Sequence, residues 1–195
     1  MKRSVQLIFG VLLALLLIEP GQAGAAPATQ HFMADASAAG LSHAQVDWLQ
    51  RAVDTYLSKT EGKQTSPNTI DLNGTGEVQI ALPGEQHPRD FAHPGSRLPD
   101  PCAGGTALGY VCAYSDAWGA GSIVAGYYCN QNYYLNQDIF WNTFTGSWGS
   151  NQYGGAQGAF FTPDGHVADW IPEQGNNQNY SWVDHQVKSF IPCGL

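Results

Sequence analysis

The sequence predicts a mainly β protein stapled by disulfides, with a small helix and β-hairpin ahead of the β module. Three observations lead there. The cysteines all fall in the second half of the chain, at Cys102, Cys112, Cys129 and Cys193. From Cys102 onward, 94 residues contain one basic side chain, Lys188, against eighteen aromatics and fifteen Asn or Gln. Short aromatic runs in that stretch are separated by Gly and Asn turn signals. A chain so poor in charge cannot lace helices with ion pairs. It can build short strands whose outer faces carry Tyr, Thr, Ser, Asn and Gln, joined by tight turns.

The chain opens with Lys2 and Arg3 ahead of an uncharged apolar run over 5–18, and Glu19, Pro20 and Gly21 break that run before the small-residue step Ala23-Gly24-Ala25. This is the layout of a secretory signal peptide over 1–25. The run is shorter than the ~20 apolar residues that a spanning helix needs, so no membrane association is expected after cleavage. Residues 26–40, rich in Ala, Ser and Gly, are expected to be flexible. Ser42 and Gln45 form a capping box, and Val46, Leu49, Val53 and Tyr56 place one apolar stripe on a helix running to about Lys59, with Gly62 as its stop. Two short strands, 69–72 and 77–82, flank the hairpin signal "NGTG". Helix and hairpin together occupy 41–83, and the Tyr56-Leu57 face is available to dock on the β module. Five prolines from Pro83 to Pro101 make 84–101 a linker, and the β module occupies 102–195.

An even number of cysteines in an exported chain reads as two disulfides, with three connectivities. The pairs Cys102–Cys112 and Cys129–Cys193 are favoured, the first closing a short loop and the second tying down the C-terminal segment. Loop entropy assigns each about 3–4 kcal/mol. The spacing matches no zinc pattern.

The whole chain carries a net charge of −8, and removing the leader with two of eight basic and one of sixteen acidic residues leaves −9. Lys and Arg supply most of the affinity for phosphate backbones, so nucleic acid is not an expected partner.

The stretch "YVCAYSDAWGAG" (110–121) carries a family resemblance. Tyr114 is followed by six residues and then Gly121, with Trp118 between, which resembles the first folded hairpin of a βγ-crystallin Greek key, Y-x-x-x-x-aromatic-x-G. In that hairpin an aromatic corner packs on the turn and a glycine takes a positive φ. "FWNTFTGSW" (140–148) looks like that family's closing strand, and "WVDHQVKSF" (182–190) aligns with it: Asp184 with Asn142, Ser189 with Ser147, Phe190 with Trp148. The second opening hairpin is expected near "AFFTPDGHVADW", without a glycine at the same distance. The arrangement as a whole resembles secreted actinobacterial proteins of the peptidase inhibitor I36 type. That resemblance implies a βγ-crystallin-like Greek-key sandwich and inhibition of an extracellular protease.

Calcium-binding modules of the crystallin type use N/D-N/D-x-x-S/T-S. Here Asn142 is followed by Thr143, Gly146 precedes Ser147, and Lys188 stands beside Ser189 in the copy that begins at Asp184. The positions Asn142, Ser147, Asp184 and Ser189 therefore read as degenerate calcium sites whose polar groups cap the closing strands, and no cofactor is expected. His87 and His93 lack a third ligand at motif spacing.

No enzyme is expected, and no catalytic residue is assigned. None of the six histidines lies in H-E-x-x-H and no serine in a G-x-S-x-G elbow. Asp164, His166 and Asp169 surround a Pro-Asp-Gly turn signal and read as hairpin-tip residues. Asp138, Asp169 and Glu173 are carboxylates that nothing brings together. Two functions remain. One is a peptidase inhibitor with an exposed loop, for which 149–158 and 175–179 are candidates. The other is a glycan-binding or structural envelope module, since sugar sites use flat aromatic faces with fixed amides. Exposed tryptophans aligned on one face would favour the glycan reading, whereas scattered burial would make these rings a sandwich core and remove it.

Overall fold

The computed structural model describes residues 28–91, 101–141 and 145–195. The leader, His93 and Asn142 lie outside the described residues.

The chain begins with two helices, α1 (Ala28–Ala38) and α2 (His43–Leu57). α1 stands where a flexible segment is expected. Its Ala-rich sequence has the best intrinsic helix propensity, and Ala36 and Met33 reach the same apolar cluster as α2. In α2 the Ser42–Gln45 capping box is formed, and Val46, Leu49, Val53 and Tyr56 make the buried stripe. The helix ends at Leu57 with Ser58 as its cap, ahead of Gly62.

Next come β1 (Lys63–Gln64), β2 (Thr69–Asp71) and β3 (Gly76–Gln79), all antiparallel. Asn73 and Gly74 both adopt positive φ in the β2–β3 turn, the backbone that an Asn-Gly hairpin uses. The hairpin is not a separate unit. β3 pairs with β5 (Ile123–Gly126), so the strands ahead of the linker extend a sheet of the β module.

That sheet has seven strands in the order β1-β2-β3-β5-β4-β7-β10, where β4 is Tyr110–Tyr114, β7 Gly146–Asn151 and β10 Gln174–Tyr180. A second, four-stranded sheet has the order β6-β11-β8-β9, from Tyr133–Tyr134, Ser189–Ile191, Gly158–Phe161 and Val167–Ile171. A short helix α3 (Gln137–Phe140) lies just after β6. The strands from β4 onward repeat one plan twice. In β4–β7 the first strand lies between the second and the fourth, and the third, β6, crosses to the other sheet. In β8–β11 the order is β9-β8-β11, and the third strand, β10, crosses back to pair with β7. The second opening hairpin, β8–β9, turns at Gly165 with φ 84°.

Between the sheets lies an aromatic core. Phe160 touches Trp148, Tyr180, Trp182 and Phe190, with ring centroids 5.3–5.9 Å apart. Trp182 is fully buried and donates its indole N–H to the Tyr114 carbonyl at 2.9 Å. Glycine is required opposite it, because a Cβ on Gly146 would lie 1.7 Å from the Trp182 Nε1. α2 closes one side of this core. Tyr56 is buried, its hydroxyl donates to the Tyr134 carbonyl, and the two rings lie 5.9 Å apart.

Cys102 is bonded to Cys112, and Cys129 to Cys193. The first pair fastens the segment before β4 onto the outer face of the larger sheet, where Cys102, Cys112, Tyr114, Ile123 and Ala125 form a second, smaller cluster. The segment expected as a linker is tied in where it is described. Gly121 donates to the Gln86 carbonyl at 2.9 Å, Asn68 Nδ2 to the Arg89 carbonyl at 2.9 Å, and Arg89 pairs with Glu85 at 2.6 Å.

Candidate functional site

The β4–β5 connection is a folded-over hairpin whose tip is a 3-10 turn, Ala117–Gly119. Tyr114 packs beneath it, with its hydroxyl donating to the Cys102 carbonyl at 2.7 Å. Gly121 has φ 79°, and a Cβ there would lie 2.1 Å from the Ser115 Oγ, so no other residue fits. Ser147 on β7 holds the tip in place. Its hydroxyl donates to the Asp116 carbonyl and accepts from the Gly119 N–H, both at 2.8 Å. Trp118 differs from the aromatic corner expected of it. It has φ 62°, a conformation rare for a bulky residue, and its side chain is 77% exposed. Tyr114 alone makes the corner, while Trp118 is held out into solvent.

Trp118 stands over a groove of about 660 Å³ on the outer face of the larger sheet. One wall is the disulfide-fastened segment with Gly104, Gly105 and Thr106. The floor and far wall are β7 and β10, with Asn151, Gln174, Asn176 and Gln178. Asn151 is pinned by donating Nδ2 to the Thr106 carbonyl at 3.0 Å. The side-chain amides of Gln174, Asn176 and Gln178 form no hydrogen bond among the described residues. Among the described residues no Asp, Glu, Lys or Arg lines the groove, and His87 is the one imidazole there. Burial of an amide row against polar ligand groups is favourable where each donor and acceptor finds a partner. A flat indole beside such a row suits a ring carrying hydroxyls on its rim and C–H bonds on its face.

This is not the site that the sequence motifs mark out. The candidate loop 175–179 is a strand: those residues lie within β10, at the outer edge of the sheet. Of the candidate loop 149–158, only 152–157 joins strands, and Glu173 clamps it by accepting from the Gly155 N–H at 2.6 Å. Trp148 and Phe190 are core residues. Ser189 is buried on β11 opposite Phe161 and Tyr134, and Asp184 is separate and unburied. Among the described residues no group of three or more His, Cys, Asp or Glu side chains gathers as a metal site would require. Asp164 and His166 form an exposed pair at 3.7 Å at the tip of the β8–β9 hairpin. A hydrogen bond from Thr162 holds the Asp164 carboxyl below its ordinary range.

The tryptophans divide. Trp148 and Trp182 are buried, while Trp118 and Trp170 are exposed but belong to different sheets. The core therefore accounts for much of the aromatic content, and the exposed tryptophans do not line one face, which removes a glycan surface built from aligned tryptophans and leaves the groove beside Trp118 as the candidate site. The groove residues Gln174, Asn176 and Gln178 are legible in principle as amides at every second position of one run, the period of a strand face.

Comparison with known proteins gives no match: no family model, no curated protein and no solved structure matches the chain. Among the described residues no helix is long and apolar enough to cross a membrane.

Proposed function

We propose that this chain is a secreted, non-catalytic βγ-crystallin-like module of two interlocked Greek keys, and that its outer groove binds a neutral glycan. The strand plan supports the fold reading: in each set of four the first strand lies between the second and fourth, and the third pairs in the opposite sheet. Ser147 bracing the hairpin tip supports it as well. Two disulfides fit an oxidising compartment. The observation that carries the ligand reading is a groove with no charged side chain among its described residues, which the exposed Trp118 lines together with three amides that have no partners among the described residues. A neutral ligand asks for this chemistry, whereas an anion or cation would need a counter-charge.

The test is retention on insoluble cellulose, chitin, xylan and mannan, with Trp118→Ala and Trp170→Ala compared. Loss of one central aromatic contact costs about 2 kcal/mol in an interface, so Trp118→Ala weakens binding by about thirtyfold and Trp170→Ala leaves it unchanged. If no polysaccharide retains the protein, or Trp118→Ala binds like the parent, the glycan reading fails.

A second reading, peptidase inhibition, is favoured by one feature. Among the described residues β10 is an edge strand pairing with β7 alone, so its other side offers an extended backbone that a protease cleft could engage. Titration against secreted serine and metalloproteases with a small peptide substrate examines it. Near-stoichiometric inhibition that survives Trp118→Ala would establish this reading, and digestion as an ordinary substrate would end it.

A further inference from the structure

The outer face of the larger sheet carries a second exposed aromatic group, beside the groove. Tyr127, Tyr128 and Tyr153 are 37%, 52% and 57% exposed. The Tyr127 ring lies 5.0 Å from Tyr110 and 5.2 Å, edge-on, from Tyr128. The rings can lie this close to the chain because Gly109, at φ 88°, has no side chain. A Cβ there would sit 2.8 Å from the Tyr127 ring and 3.3 Å from that of Tyr153.

The backbone that carries Tyr127 and Tyr128 is fixed in place. The Tyr127 and Tyr128 N–H groups both donate to the Tyr133 hydroxyl, at 3.2 and 3.0 Å, and that hydroxyl donates to the Thr75 carbonyl at 2.5 Å. The next residue, Cys129, is disulfide-bonded to Cys193. Rings held this way lose little freedom when a ligand arrives, which removes one of the main costs of association.

Strand register joins the tyrosines to the groove. Tyr127 comes directly after β5 and its ring lies on Tyr110 of β4. Tyr110 is the cross-strand partner of Asn151 on β7, and Asn151 is the partner of Gln174 on β10. Tyr127, Tyr110, Asn151 and Gln174 thus form one row across four adjacent strands. At ~4.8 Å per strand the row spans about 14 Å, longer than a single sugar ring. Asn151 and Gln174 also line the groove.

Building on the glycan reading, we infer that the tyrosine group and the groove are two ends of one extended site, which takes a linear neutral oligosaccharide running across the strands. Sugar rings at one end stack on the tyrosines. At the other end they lie against Trp118 and the amides of β10. Row length makes the site selective for chain length, because a monosaccharide fills only one end.

The experiment is calorimetric titration with the oligomer series, one to six units, of each polysaccharide in the retention test, using the parent, Trp118→Ala, Tyr127→Ala and Tyr153→Ala. Tyr153 sits in a loop and is more than half exposed, so its replacement leaves the fold intact should Tyr127→Ala disturb it; thermal melting checks both. The parent gains at least tenfold in affinity between the monomer and the tetramer or longer. Tyr153→Ala and Tyr127→Ala remove about tenfold for the long oligomers and leave the monomer unchanged. Trp118→Ala weakens every length. Affinity independent of length, or tyrosine variants that match the parent on the hexamer, overturns the extended site while leaving the groove reading intact. Absence of binding by any oligomer removes both.

Discussion

Replacing Gly146 with alanine tests the aromatic core at its tightest point. A Cβ at this position would lie 1.7 Å from Nε1 of Trp182 and 2.3 Å from its Cδ1. Ordinary contact begins near 3.5 Å, so the indole must withdraw by well over an ångström. It has nowhere to go. Trp182 is fully buried, with the Tyr180, Phe160 and Phe140 ring centroids at 4.8, 5.3 and 6.0 Å. Overpacking of this kind costs about 1–3 kcal/mol. Withdrawal also breaks the 2.9 Å bond to the Tyr114 carbonyl, leaving a buried donor and acceptor unpaired at about 1–3 kcal/mol more. The sum, about 2–6 kcal/mol, is a large part of a typical domain's stability. Urea unfolding monitored by tryptophan fluorescence measures it, with Gly154→Ala as the control because nothing lies within 4 Å of a Cβ there. Combining Gly146→Ala with Trp182→Phe should cost less than the two changes added, since the smaller ring relieves the collision. A Gly146→Ala protein within about 0.5 kcal/mol of the parent, the range of ordinary surface changes, would show that the core is not packed as described.

Other outcomes rest on the same structure. Removing the Cys129–Cys193 bond, which spans 64 residues, by Cys129→Ser with Cys193→Ser costs about 4 kcal/mol on loop entropy. Calorimetry should show a fall in Tm of about 8–16 °C, and a drop under about 3 °C contradicts the loop-entropy argument. Tyr180→Phe removes a buried hydroxyl that has no hydrogen-bond partner among the described residues, so denaturation should find it neutral or stabilising by about 1 kcal/mol. A clear loss there would reveal a partner for the hydroxyl. Burial raises the phenols of Tyr56, Tyr133 and Tyr180 above the ordinary value of 10.0. In the unfolded chain these phenols ionise near that value, while in the folded protein they stay neutral. Their contribution is therefore complete below about pH 10 and declines as pH rises, by up to ~1.4 kcal/mol per group per pH unit. Absorbance at the tyrosinate band should then show a late titration step that coincides with loss of the near-ultraviolet circular dichroism. A smooth titration of all tyrosines with the fold retained would count against their burial.

Local signals in the sequence are decisive where one short segment sets the outcome. Ser42 and Gln45 cap α2 because capping depends on residues three apart, and Asn73-Gly74 turn because each tolerates positive φ. The β character of the chain after Cys102 is carried by composition. Three features cannot be read that way. Residues 175–179 lack the β-branched residues of ordinary strands, and pairing with β7 makes them one. The union of β3 with β5 joins segments on either side of a proline-rich stretch, so no local pattern announces it. Trp118 reads as a packing residue because large aromatics usually are, yet the hairpin tip turns it outward. The groove is framed by β10, the hairpin tip and His87 from the proline-rich segment, so it depends on contacts between distant parts of the chain.

The exchange of third strands between the sheets has a consequence for dividing the chain. A chain carrying only β4–β7 would have β6 standing apart from its own three-stranded sheet, and a chain carrying only β8–β11 would have β10 in the same position. Neither strand could pair except by being lent to a second copy, so such a half-length chain would persist as a reciprocal dimer. Within the one chain each half supplies the strand that the other sheet needs, and the groove is shared in the same way: Gln174, Asn176 and Gln178 come from one half and the hairpin tip from the other.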